Sequence, residues 1–374
     1  MKVVIALAGT DRGRSGLGVW IREVVPRLIA GVRHRGGSVR LVGTRADVEA
    51  YGLDAPATLL PSSLDAPAAS AAFHMLGVAP LAARLGADVL LMPAANRRFA
   101  LASPVPTVGV VHDLAPLRVR DKYDTFRTRY VQAIARHGFA HARSLVAVSR
   151  STADDLAQLV GARDVRVVPN GVDAARFAPR ATDDPDVRRA RAAHALERPY
   201  VLYVSRLEHP GKNHLRLVRA FAATEAARDH DLVLVGGDWG AGPLIRAEAS
   251  ARGVGDRVRV LGHVDDALLP AIVAGADAVA MVGLREGFGL PALEALAAGR
   301  PVLAASTGAL PEVVGDLGRL VDPLDERDLS LGLAAVLTDA SLRCRAREDG
   351  PRWASHRDWG RTAQGVLEAV EEAA

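Results

Sequence analysis

Residues 285–302 read Arg285-Glu286-Gly287-Phe288-Gly289-Leu290-Pro291-Ala292-Leu293-Glu294-Ala295-Leu296-Ala297-Ala298-Gly299-Arg300-Pro301-Val302. The stretch follows a short apolar run, 278–282, and the spacing predicts that it opens a helix. Gly287 and Gly289 allow close backbone approach, and Pro291 suits a first helical turn. A helix N-terminus offers free N–H groups and a positive dipole end, which suit a phosphate. Glu286 falls in the loop ahead of the helix, and Glu294 about one turn inside it. A carboxylate accepts hydrogen bonds from paired hydroxyls, as on a sugar or a ribose. The segment therefore reads as loop contacts to a sugar, amides to a diphosphate and a helix carboxylate to a ribose. A glycine-rich turn with two solvated glutamates is the plainer alternative.

Outward from this stretch, short β-branched runs alternate with longer amphipathic ones, the pattern of an α/β protein with parallel sheets. Predicted strands of the first half span 2–7, 38–42, 88–92, 107–112, 144–149 and 165–169. Those of the second half span 200–205, 232–236, 258–261, 278–282, 301–305 and 320–322. Leu17, Ile21, Val24, Val25 and Leu28 recur at helical spacing after the first strand. Residues 180–199, carrying Asp183, Asp184, Pro185 and Asp186 and then Arg188, Arg189 and Arg191, read as a linker with a short helix. A helix over about 359–373 ends the chain.

The 374 residues suffice for two domains. A charged fraction of 24% excludes wholesale disorder, and the single cysteine, Cys344, excludes an internal disulfide. A reducing cytoplasm fits that usage. The apolar stretch 267–284 is interrupted by Pro270 and Asp277, so no membrane span is expected. The apolar run at 3–8 is too short for a signal peptide and meets Asp11, Arg12 and Arg14 at once, so it reads as a buried strand. Residues 1–178 hold 23 basic and 14 acidic groups, and residues 179–374 hold 24 and 29, so the first half is the one expected to meet something anionic. Lysine occurs only as Lys2, Lys122 and Lys212 against 44 arginines, which makes each lysine an exception in need of a reason.

Lys212 lies in Ser205-Arg206-Leu207-Glu208-His209-Pro210-Gly211-Lys212-Asn213-His214. Arg206 follows a strand and Lys212 precedes a helix. Two such cations can clamp a diphosphate and stabilise the charge of its departure, and a lysine supplies the compact point charge. An ordinary charged surface turn is the alternative. Gly16-x-Gly18 precedes the first helix, but the third glycine of a dinucleotide fingerprint would fall at Ile21, so that fingerprint fails. Val110-Val111-His112-Asp113 ends an apolar strand. His112 there either faces a binding crevice or sits as a satisfied core histidine. Ser149 or Ser151 could cap the following helix, and Asn170-Gly171 marks a turn.

The 285–302 segment resembles the Glu-x7-Glu motif of the retaining glycosyltransferases of family 4, which have the GT-B architecture. The likeness continues through Ser306-Thr307-Gly308-Ala309-Leu310-Pro311-Glu312-Val313, the Arg206/Lys212 pair, the glycine loop before Leu17, His112-Asp113 and Pro169-Asn170-Gly171-Val172-Asp173. It implies two Rossmann-like doubly wound domains facing across a cleft: 1–178 for the acceptor, 179–352 for the nucleotide sugar, and 353–374 as a helix crossing back to the first domain. It also implies a hexosyltransferase using a nucleoside-diphosphate sugar, with retention. On that resemblance Arg206 and Lys212 bind the diphosphate, Glu294 holds the ribose, and Glu286 with the amides of Gly287, Phe288 and Gly289 holds sugar hydroxyls. Leu290 meets phosphate through its amide, His112 lies near the sugar, and Gly16 lets substrates approach the backbone.

The His-Pro-Gly-Lys-Asn-His variant is similar to that of members acting in surface-polysaccharide synthesis, which makes GDP-mannose the first choice of donor and UDP-hexoses the next. The acceptor is expected to be a glycan, lipid-linked or soluble. A synthase or phosphorylase on the same fold, a non-catalytic nucleotide-sugar-binding subunit and an NAD-dependent epimerase are the rivals.

Walker, hydrolase-elbow and zinc spacings are absent. Asp184-Pro185-Asp186 falls in the linker rather than after a strand, so no metal or other cofactor is expected. Arg118, Arg120, Lys122, Arg127, Arg129, Arg136 and Arg143, interleaved with Tyr123, Phe126 and Tyr130, form a basic stretch. With no nucleic-acid module present, it reads as a solvated face or as a surface for anionic lipid head groups or a diphosphate-linked acceptor, consistent with a cytoplasmic protein touching the inner membrane face.

Overall fold

The computed structural model describes residues 1–13, 15–118 and 136–374. The chain divides into two units, Met1–Gly171 with Trp359–Ala374, and Val172–Asp358. The first boundary lies ahead of the expected 178/179. Val172 N–H donates to the Arg357 carbonyl at 2.8 Å, and Arg176 donates to the Asp266 carbonyl at 2.6 Å, which ties 172–178 to the second unit. The second lies beyond 352/353, because the Ala340–Ser355 helix continues past Pro351 before the chain turns.

The first unit holds a parallel sheet of β1 (Lys2–Ala6), β2 (Ser38–Thr44), β3 (Ala57–Leu60), β4 (Val89–Met92), β5 (Thr107–Val111), β6 (Ser144–Ala147) and β7 (Arg166–Val167). Their order is β3-β2-β1-β4-β5-β6-β7. β4 and β5 are buried along their whole length, as continuous apolar runs require when both faces are covered. The second unit repeats the plan with β8 (Tyr200–Val204), β9 (Asp231–Val235), β10 (Val258–Gly262), β11 (Ala278–Met281), β12 (Val302–Ala305) and β13 (Gly318–Val321), in the order β10-β9-β8-β11-β12-β13. Every registered pair is parallel. Chain order therefore reverses between β1 and β4 and again between β8 and β11. In such sheets the loops at the carboxyl ends beside these switch points are where ligands bind.

Two helices frame the first sheet. The Gly16–His34 helix starts at Ser15, whose side chain accepts the Leu17 N–H at 3.3 Å, and it buries Leu17, Ile21, Val24, Val25 and Leu28. Gly18 lies against the backbone of Gly13, so a side chain there has no room. The Trp359–Ala373 helix packs on it: a Cβ at Gly31 would stand 2.7 Å from Leu367 Cδ2, and Arg35 pairs with Glu371. β3 is an element the sequence pattern does not reveal. It has four residues between Pro56 and Pro61 at the sheet edge and is only partly buried, so no apolar run marks it.

Candidate functional site

The second unit's switch point is built from two loops. The first, 205–213, leaves β8, and the second, 282–289, leaves β11. They are joined directly, Leu284 N–H donating to the Gly211 carbonyl at 2.9 Å. Asn213 Nδ2 donates to the Val282 carbonyl at 3.1 Å and to the Pro323 carbonyl at 2.6 Å. The fully buried Tyr203 donates its hydroxyl to the Lys212 carbonyl at 2.8 Å. Lys212 is thus fixed by its backbone before its side chain is considered.

That side chain meets Glu286. Lys212 Nζ lies 2.8 Å from Glu286 Oε1 and 2.9 Å from Oε2. The side chains retain 19% and 11% of their exposure, so the pair is mostly removed from water but open on one side. Two glycines make room for it. A Cβ at Gly283 would strike Glu286 Oε1, and one at Gly308 would stand 2.5 Å from the Glu286 carbonyl oxygen and 2.8 Å from its nitrogen. Gly308 also has φ near +66°, and Ala309 N–H donates to the Glu286 carbonyl at 3.0 Å. Gly308 stands inside the quoted Ser306–Val313 run, but only the structure shows that it is a wall of the Glu286 pocket.

Arg206 extends the cationic rim. Its Nη2 lies 3.3 Å from Glu208 Oε2, and its guanidinium stacks 4.5 Å above the Trp239 ring centre. After β11, Gly289 takes a left-handed conformation, φ near +98°, as N-cap of the Leu290–Ala297 helix. A glycine cap brings no side-chain acceptor, Pro291 has no N–H and Ala292 N–H donates to the Gly289 carbonyl at 3.0 Å, so Leu290 N–H is the first-turn amide open to a ligand. The side chains of Phe288 and Leu290 are buried, so the polar groups that these residues offer are those of their backbone.

Glu294 projects from that helix, partly buried, and its carboxylate makes no hydrogen bond to any described residue. Burial pushes its carboxyl up to about 7; Arg176 opposes the rise and Asp266 adds to it. Hydroxyl donors delivered by a ligand would reverse that shift.

The remaining predicted residues belong to the other unit. Gly16 is the exposed first residue of its helix. His112 follows β5. Its Nε2 lies 2.8 Å from the Pro93 carbonyl, and its ring meets Trp20 edge-on at 5.4 Å. A carbonyl only accepts, so Nε2 carries the hydrogen and Nδ1 is the acceptor. Burial pushes the imidazole down to about 4, with Asp113 and Asp11 working against the shift and Arg97 with it, so it is neutral near pH 7.

Asp184, from the Asp-x-Asp, caps the Pro185–Ala193 helix by accepting the Asp186 N–H at 2.8 Å, while Asp186 pairs with Arg180 at 2.6 Å. Of the basic stretch, Arg118 pairs with Asp155 at 2.8 Å and Arg136 donates to the Leu159 carbonyl at 3.3 Å. Arg120, Lys122, Tyr123, Phe126, Arg127, Arg129 and Tyr130 lie outside the described residues. No helix among the described residues is long and apolar enough to cross a membrane.

Known proteins share this plan. Residues 15–176 match the family described as Glycosyltransferase Family 4, and residues 186–353 match Glycosyl transferases group 1. A D-inositol 3-phosphate glycosyltransferase of Salinispora arenicola is 39% identical over 252 residues, 63% of this chain and 56% of the relative. An MMP alpha-(1->4)-mannosyltransferase of Mycolicibacterium hassiacum is 33% identical over 213 residues, 56% of this chain and 48% of the relative. The chain spans about half the length of the relatives it matches. Among solved structures, the Anabaena HepE protein in complex with UDP-glucose superposes with a TM-score of 0.75 at 21% identity, covering 100% of both chains.

Proposed function

The chain belongs to the family 4 glycosyltransferases of GT-B architecture, and on that premise we propose that it moves a hexose from a nucleoside-diphosphate sugar to an acceptor hydroxyl, with retention at the anomeric carbon. The observation that carries the reading is the Lys212–Glu286 pair at the second unit's switch point, flanked by Arg206 and by an uncapped helix N-terminus. Each part has a separate use. Lys212 and Arg206 take the diphosphate. The amide of Leu290 takes a phosphate oxygen, and those of Gly287, Phe288 and Gly289 join Glu286 on the sugar hydroxyls. Glu294 takes the ribose. In the first unit, Gly16 and His112 are the residues assigned to substrate.

Before donor arrives, Lys212 and Glu286 neutralise each other. A bound nucleotide sugar offers phosphate oxygens to the lysine and hydroxyl donors to the carboxylate, so both lose a partner and gain one. In the transfer step the bond from the anomeric carbon to the diphosphate oxygen breaks and a bond to the acceptor oxygen forms on the same face. The acceptor proton passes to the departing phosphate oxygen, so no protein base is required. Lys212, Arg206 and the helix N-terminus stabilise the negative charge that grows there. His112 is neutral and its N–H is committed to Pro93, so it contributes an acceptor at Nδ1 rather than a proton.

GDP-mannose is the first donor to test, in keeping with a mannosyltransferase among the relatives, and UDP-glucose is the next. The acceptor is a glycan or glycoconjugate hydroxyl, with lipid-linked acceptors in keeping with the basic first half and contact at the inner membrane face. No metal takes part. The test is release of nucleoside diphosphate from each donor in EDTA, with NMR of the anomeric centre in the transferred product. An α-linked product from an α-linked donor is expected. A β-linked product refutes retention, and dependence on a divalent ion refutes the metal-free step.

A further inference from the structure

Trp239 is exposed over 64% of its surface, whereas Trp20 and Trp359 are buried. A large aromatic left in water calls for a reason. Its position is set by backbone. Trp239 N–H donates to the Leu207 carbonyl at 3.0 Å, Leu207 N–H donates to the Gly237 carbonyl at 2.9 Å, and Leu207 and Asp238 form a parallel bridge. The loop after β9 is in this way laced to the loop that carries Arg206. Asp238 locks the far side, accepting the Gly240 N–H at 2.8 Å and the Gly242 N–H at 3.0 Å. Gly236, in the same loop, lies so close to Ser205 that a side chain would strike the Ser205 carbonyl. The indole therefore stands at a fixed height, with Arg206 stacked on it at 4.5 Å.

We propose that Trp239 is a positioning residue, which holds the Arg206 guanidinium flat so that its N–H edge stays available to the donor's β-phosphate. The inference rests on the nucleotide-sugar reading of this site. A guanidinium has two ways to be held. A carboxylate takes the in-plane N–H groups and cancels the charge. An aromatic face takes the flat of the ion, leaves its in-plane donors free and keeps its charge. Arg206 shows both in unequal measure: Glu208 reaches one corner, Nη2, at 3.3 Å, and Trp239 covers the face. Without the indole, the side chain is free to fold onto Glu208 and present a neutralised pair to an incoming phosphate.

The experiment measures Kd for UDP, GDP, UMP and GMP by calorimetry in the full chain and in Trp239→Ala, Trp239→Leu and Trp239→Phe, with melting temperatures alongside. Loss of one exposed cation–π contact weakens binding of the diphosphate that the wild type prefers by about 2- to 5-fold. The matching monophosphate, lacking the β-phosphate, is expected to change little. Leu supplies bulk without a π face and should behave as Ala, whereas Phe should recover most of the affinity. In Arg206→Ala, adding Trp239→Ala should cost nothing further. Equal diphosphate affinity in Trp239→Ala and wild type overturns the proposal and leaves the site reading standing. So does an equal loss for mono- and diphosphate. Failure of the wild type to bind either diphosphate overturns the site reading, and the proposal with it.

Discussion

Replacing Lys212 by Ala separates the two jobs assigned to this side chain. In the free protein its ammonium sits 2.8 and 2.9 Å from the two oxygens of Glu286. Removing it strands a carboxylate that lies against Gly283 and is mostly removed from water. A fully buried broken pair costs about 3–5 kcal/mol, and the residual exposure lowers that to about 1–3 kcal/mol here. In the reaction the lysine stabilises the departing diphosphate, and loss of one such preorganised contact costs about 2.7–4 kcal/mol, or roughly 100- to 1,000-fold in kcat. The double variant Lys212→Ala with Glu286→Gln tells the two apart. Removing the stranded charge should restore most of the melting temperature and none of the turnover. Steady-state kinetics of donor turnover and thermal melts of the wild type and the two variants supply both readings. Turnover of Lys212→Ala within about threefold of wild type refutes the assignment, because no other described side chain makes a two-oxygen contact with Glu286.

Other expectations are shorter. Glu294 is protonated more readily when folded, with its carboxyl pushed up to about 7 from an ordinary 4.5. Its contribution is fully present below pH 4.5 and is lost as pH rises through 7, so Glu294→Gln should melt higher than wild type at pH 8, with the gap closing towards pH 5. Ribose hydroxyls favour the ionised form, so nucleotide binding at pH 6.5 should release a proton, which calorimetry in buffers of different ionisation enthalpy reads directly; no release removes Glu294 from the site. His112 should titrate by NMR near 4, because folding keeps it neutral while the unfolded chain takes up a proton below about 6.5. A midpoint above 6 contradicts its burial. Gly308→Ala, at φ near +66° and with its new Cβ 2.5 Å from the Glu286 carbonyl oxygen, should destabilise by about 1–3 kcal/mol and weaken donor binding. A variant as stable and as active as wild type removes Gly308 as a wall of the pocket.

Much of the fold was legible because its strands are buried on both faces. β5, β9 and β11 show as unbroken apolar runs, and the helix after β1 shows its 3.6-residue stripe. β3 was not legible, since a short, half-exposed edge strand between two prolines carries little apolar signal. In the site, the chemistry of Lys212, Glu286 and Glu294 could be read from residue type and spacing, but their relation could not. That Lys212 and Glu286 grip each other depends on two loops 74 residues apart being laced through Gly211 and Leu284, a long-range fact with no local signature. The same holds for Trp239. The Gly236-Gly237-Asp238-Trp239-Gly240 turn shows as a turn, but its place over Arg206 comes from the parallel pairing of β8 with β9.

The most direct test of the central claim is a thermal-shift panel on the purified chain with GDP, UDP, ADP and NAD in EDTA, run beside the Lys212→Ala variant. A ligand that binds only the native state must raise its melting temperature. The account predicts a clear rise with one nucleoside diphosphate, no rise with NAD, and loss of the rise in the variant. A rise with NAD alone, or no rise with any of them, contradicts it.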